Sequence, residues 1–175
     1  DDARQTGPGP RPVARVPLVQ QPPKIDGTID DLYAKLAQPL RFTLLDGAKA
    51  KPKEATTAYL LSDKDNLYVA VRCEKADPDK LVCTKTRRDD DVWRDECVEL
   101  FIDPANTRQR KYFHIVVNPA GVIQDARAGD ASWNGDLTVK CGKEPGKAWI
   151  AEIKIPFREL GAAGSPDETT MQPFA

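Results

Sequence analysis

The sequence holds one histidine and one methionine in 175 residues, and it has no apolar run approaching the roughly 18 to 20 residues that span a bilayer. It lacks an excess of charge: 26 Lys and Arg face 27 Asp and Glu, so no whole-chain basic field argues for a nucleic-acid partner. It also lacks a Gly-rich phosphate loop, and its serines and cysteines lack a nearby His signature for nucleophilic catalysis. No CxxC and no Cys/His spacing suggests zinc. A neutral or weakly charged ligand suits such a chain better than a polyanion or a membrane.

Four cysteines are present, Cys73, Cys83, Cys97 and Cys141, and an even count fits an exported, oxidised protein, extracellular or periplasmic. Four cysteines allow three pairings, of which Cys83 with Cys97 is preferred because it would tie down the intervening loop; four reduced, mostly buried thiols are the competing reading. The chain begins at Asp1 rather than Met, which fits a removed export signal or a chosen boundary. Its length suits one domain with a substantial core.

What is present is concentrated in thirteen residues, Asp91 to Asp103. An indole, Trp93, and several acids precede a run in which Val98, Leu100 and Ile102 alternate with Cys97, Glu99, Phe101 and Asp103. The period of two buries the aliphatic row while holding Glu99 beside Trp93. An aromatic plate for the apolar face of a pyranose, with a carboxylate to accept hydroxyl hydrogen bonds, is the chemistry of sugar recognition. An ordinary sandwich strand with a half-buried Trp at its entrance is the plainer alternative.

Along the chain, residues 1–23 are rich in Pro and Gly and read as a linker or leader, with the domain occupying 24–175. Asp30-Asp31-Leu32-Tyr33 predicts a short acid-capped helix. Strand alternation is expected over 57–61, 67–74, 97–103, 111–117, 122–127, about 137–141 and 149–155, with turn residues such as Asn118-Pro119-Ala120-Gly121 between. The fold expected is all-β, an antiparallel, jelly-roll-like β-sandwich with short helical turns. Beyond Gly161 the tail has little strand character, and the sandwich looks truncated at its carboxyl end.

Ile25-Asp26-Gly27 with Asp30 to Tyr33, then Asn66 to Val71, then Trp93 to Asp103, then Trp149 to Phe157 with Leu160-Gly161, resembles the family 9 carbohydrate-binding modules. The resemblance spans roughly residues 18–161 and implies a β-sandwich without catalysis of its own that binds oligosaccharides or polysaccharides, in some members a glucan chain end between two tryptophans. Trp93 falls where one of those tryptophans lies, and Glu99 matches a position that bonds sugar hydroxyls. The other tryptophan belongs to the carboxyl-terminal part of the family pattern, which is missing here. The resemblance also allows structural calcium, for which no ligand set in this sequence matches residue by residue; no other cofactor is expected.

If the strands starting near Leu67, Val98 and Lys111 share a sheet, Tyr68, Arg72, Glu99, Tyr112 and His114 reach a common surface beside Trp93. Arg72 and Glu99 would then pair and offer a planar donor and a planar acceptor. Trp133, in a loop, is a candidate second plate, and Trp149 reads as structural. Glu96 and Glu99, three apart near a strand, face opposite ways and make poor glycosidase carboxylates. The competing functions are a structural or protein-interaction domain of a larger exported protein, and a haem-binding electron-transfer domain, for which the sole methionine, Met171, lies too far into the tail. A monomer, or one part of a multidomain chain, is expected.

Overall fold

The computed structural model describes residues 13–44, 52–106, 109, 111–161 and 170–171. Its strands are β1 (Ala14–Arg15), β2 (Leu40–Arg41), β3 (Thr56–Ser62), β4 (Asn66–Glu74), β5 (Val98–Ile102), β6 (Phe113–Val117), β7 (Ile123–Arg127), β8 (Thr138–Glu144), β9 (Ala148–Pro156) and β10 (Thr170–Met171). Five pair antiparallel in the order β2-β3-β4-β9-β8, three in the order β5-β6-β7, and β1 pairs with β10. The result is an antiparallel β-sandwich.

Alternation explains the core between the two main sheets. Leu67, Val69 and Val71 of β4 and Ala151, Ile153 and Ile155 of β9 meet Val98, Phe113, Ile115 and Val117 of the three-stranded sheet. Trp149 is buried among them, as its strand position predicts. Burial of each such aliphatic side chain contributes about 1.5–3 kcal/mol.

Aliphatic-inside, polar-outside alternation does not hold for β4 and β9. On the outward side of the five-stranded sheet, Tyr68, Ala70 and Leu61 are buried with Val19 and Tyr33 in a second cluster. Tyr33 comes from α1 (Asp31–Leu36), whose N-cap Asp30 accepts the Leu32 N–H at 2.9 Å. The stretch before residue 24, read as linker, supplies part of this cover: Val19 donates to the Ser62 carbonyl at 2.7 Å and Ser62 N–H to the Pro17 carbonyl at 2.9 Å. Residues 1–12 lie outside the described residues. The tail also contributes β10, where no strand was expected.

The N-terminal segment and α1 thus cover part of the outward face of the five-stranded sheet. Among the described residues, the loop leading into β5 covers part of the outward face of the three-stranded sheet, and Glu99 and Phe101 of β5 stay exposed there.

Candidate functional site

The loop before β5 is fixed by a buried polar node. Asp95, 7% exposed, accepts from the Thr84 and Lys85 N–H groups, the Thr84 hydroxyl and Asn118 Nδ2, all at 2.9 Å. Burial alone would push this acid's pKa up, but the two amides, Asn118 and the hydroxyl outweigh it and bring the pKa down to about 2. Asn118 in turn donates to the Lys85 carbonyl at 3.1 Å and accepts from the Ala120 and Val122 N–H groups at 3.1 and 2.9 Å. One side chain thus joins the loop, the entrance to β5 and the β6–β7 hairpin.

A second anchor lies on the other side of the loop. Arg88 grips buried Asp125 of β7 through bonds of 2.7–3.1 Å, and Asp125 also accepts the Gly135 N–H at 2.7 Å. Asp89 N–H donates to the Ile123 carbonyl at 3.0 Å, so the loop runs along the edge of β7.

Between these anchors the chain makes a single 3-10 turn, Val92–Arg94. Val92 is fully buried and its N–H donates to Gln124 Oε1 at 3.0 Å. Gln124 is paired with Val116, and Val116 with Glu99, so these three side chains share the outward face on which the turn sits. With Val92 pointing in, Trp93 points out and is 52% exposed. Arg94 places its guanidinium carbon 4.7 Å over the Trp93 ring, held by Asp91 at 3.2 Å.

Next along that face, Glu99 Oε2 lies 2.7 Å from His114 Nε2. Phe101, paired with His114 in the strand register, stacks on its ring at 4.2 Å and 11°, and Tyr112 meets Phe101 near-perpendicularly at 5.3 Å. Of the residues singled out in the sequence, Glu99, His114 and Tyr112 are thus brought together on the sheet that carries the Trp93 turn.

The rest are elsewhere. β4 belongs to the opposite sheet, so the expected Arg72–Glu99 pair does not form: Arg72 binds Glu144 of β8 with contacts of 2.7–3.1 Å and Glu74 at 3.1 Å. Tyr68, 2% exposed, packs under α1 with its hydroxyl 2.5 Å from Asp63, and burial followed by that bond raises its pKa. Trp133 is half-buried and packs on Phe113 at 5.0 Å instead of standing free as a second plate. Cys83 and Cys97 are not joined, and all four cysteines are free thiols. Glu96 pairs with Lys75 at 2.9 Å, apart from the Glu99–His114 pair. Among the described residues no cluster of three or more His, Cys, Asp or Glu side chains is placed to hold a metal ion.

Sequence reasoning overlooked Phe101, Gln124 and the Asp95–Asn118 node. Phe101 carried a signal, sitting two residues after Glu99 on the same side of an alternating strand. The node carried none, because its members are far apart in the chain.

With this geometry in place, the profile of the carbohydrate family 9 binding domain-like family matches residues 25–174. The chain belongs to that family. Among solved structures this family 9 domain is similar to a Caldicellulosiruptor kristjanssonii family 9 module in complex with glucose, at 19% identity and a TM-score of 0.58 over 87% of this chain and 71% of that one. The same module in complex with cellotriose aligns at 19% identity and 0.56, over 81% of this chain and 66% of that one. A Bacteroides uniformis protein aligns at 16% identity and 0.57, over 87% and 78%. The domain thus spans about two thirds of the length of the cellotriose-bound module. No curated protein matches it.

Proposed function

We propose that this domain is a non-catalytic carbohydrate-binding module of an exported protein, and that it takes a sugar at Trp93, Glu99 and His114 on the outward face of the three-stranded sheet. The observation that carries the reading is an exposed indole on a turn anchored from two sides, on the same face as a carboxylate–imidazole pair. The indole offers a plate to the apolar face of a pyranose, and the Glu99–His114 pair offers an acceptor and a nitrogen to neighbouring hydroxyls. Membership of family 9 supports it, and the sugars held by the solved relatives make glucose and short β-glucans the first ligands to test.

Each hydroxyl leaves water to bind, so the net affinity is modest, on the order of micromolar to millimolar. Calorimetric titration with glucose and cello-oligosaccharides tests the reading. Trp93→Ala is expected to weaken binding more than about tenfold, a loss of about 1.4 kcal/mol or more. Binding that survives the substitution removes the site.

A further inference from the structure

Phe101 is the second exposed large aromatic on this face, at 41% exposure. An aromatic ring in a strand usually hides against a core, yet Phe101 points away from it, while its strand neighbours Leu100 and Ile102 pack against the core. His114 covers one of its faces in a nearly parallel stack, and Tyr112 steadies it at a steep angle. β5 is an end strand of its sheet, and among the described residues no strand pairs with its far side. The ring is thus exposed on an edge strand, and two ring contacts hold its orientation.

Its place relative to the proposed sugar site follows from the register. Along the outward face the order is the Trp93 turn over the row Glu99, Val116, Gln124, then the row Phe101, His114, Ala126. Rows two residues apart in a strand are about 7 Å apart. His114 belongs to both ends of this strip, bonded to Glu99 of the first row and stacked on Phe101 of the second.

We propose that Phe101 forms a second aromatic subsite on the same face as the one at Trp93 and Glu99, so that the face holds at least two sugar units of an oligosaccharide laid across it from the Trp93 turn to β5. This rests on the sugar-binding reading. The occupant is a chain of neutral hexoses: Arg94 is already matched by Asp91, so it offers no free cation to an anionic sugar, and the Glu99 carboxylate accepts from hydroxyls.

The test compares glucose with cellotriose by calorimetry on the whole protein, in the wild type, Phe101→Ala, Phe101→Tyr and Trp93→Ala. In the wild type, cellotriose is expected to bind more tightly than glucose. Phe101→Ala should reduce that preference about tenfold, the loss of one aromatic contact, and Phe101→Tyr should restore it. A preference unchanged in Phe101→Ala overturns the second subsite, and so does an equal loss for both sugars, which would mean that Phe101 only steadies His114. Full binding in Trp93→Ala, or no binding of either sugar by the wild type, overturns the sugar-binding reading itself, so the two failures are told apart.

Discussion

At the scale of single residues, the feature with most leverage on the proposed site is a carboxylate that has no place on the ligand face. Asp95 gathers four donors and sets the path of the loop that presents Trp93. Asp95→Ala leaves buried donors unsatisfied, at about 1–3 kcal/mol each, and is expected to weaken sugar binding together with stability. Its pH signature has a definite sign. The folded-state pKa, near 2, is depressed below the unfolded value of about 3.9, so the node's contribution is complete above pH 4 and is lost as pH falls toward 2. Chemical denaturation across pH 2–5 should show this slope in the wild type and a shallower one in Asp95→Asn. Thiol reactivity belongs to this scale too: burial pushes Cys73 and Cys141 up to about 12 and Cys97 to about 11. Mass spectrometry after iodoacetamide treatment of the folded protein at pH 8 should find these three cysteines slow to alkylate, and all four fast after unfolding.

At the scale of elements, β9 carries another buried acid, in a different setting. Glu152 is fully buried and its Oε2 accepts from the Asp26 and Gly27 N–H groups at 3.0 and 2.8 Å, tying the chain before α1 to the five-stranded sheet. The approach is close: a Cβ on Gly27, where φ is +90°, would lie 2.8 Å from the Cys141 carbonyl oxygen. Glu152 Oε1 and the Tyr33 hydroxyl are both buried without a partner. Burial raises the Glu152 pKa, and the two amides only partly oppose it. A raised folded-state value means stability is greatest below the unfolded pKa of about 4.3 and declines as pH rises through the folded value, opposite in sign to Asp95. Glu152→Gln keeps an acceptor for the two amides and has no proton to lose. Its melting temperature should therefore fall less than that of the wild type between pH 4 and pH 8, and an equal fall would contradict this account.

The same scale shows what could be read in the chain. The alternation of 98–102 placed Glu99 and Phe101 on one side of β5 because a strand's period is a local property of the backbone. The turn at Asn118 was legible for the same reason, through residues that favour turns. The burial of Tyr68 was not, since the cover over β4 comes from Val19 and Tyr33, dozens of residues earlier.

At the scale of the molecule, the two sheets differ in what lies on their outward faces. The five-stranded sheet carries the N-terminal segment and α1, and the three-stranded sheet leaves a strip open beside the anchored loop. The asymmetry gives the domain one rigid, partly exposed β-surface with aromatic side chains, a suitable base for a site that must be in place before its ligand arrives. Trp133 serves the sandwich instead, packed against Phe113, where a Cβ on Gly135 would come 2.7 Å from its ring.

The sequence by itself determined the sandwich class, most of the strands, the family pattern and the side of β5 on which Glu99 stands, because all of these depend on residues close together in the chain. Only the tertiary structure decided who stands next to whom. Arg72 went to Glu144 and Glu99 to His114 because β4 and β5 entered different sheets, and strand pairing is a competition among distant segments that the local period does not settle.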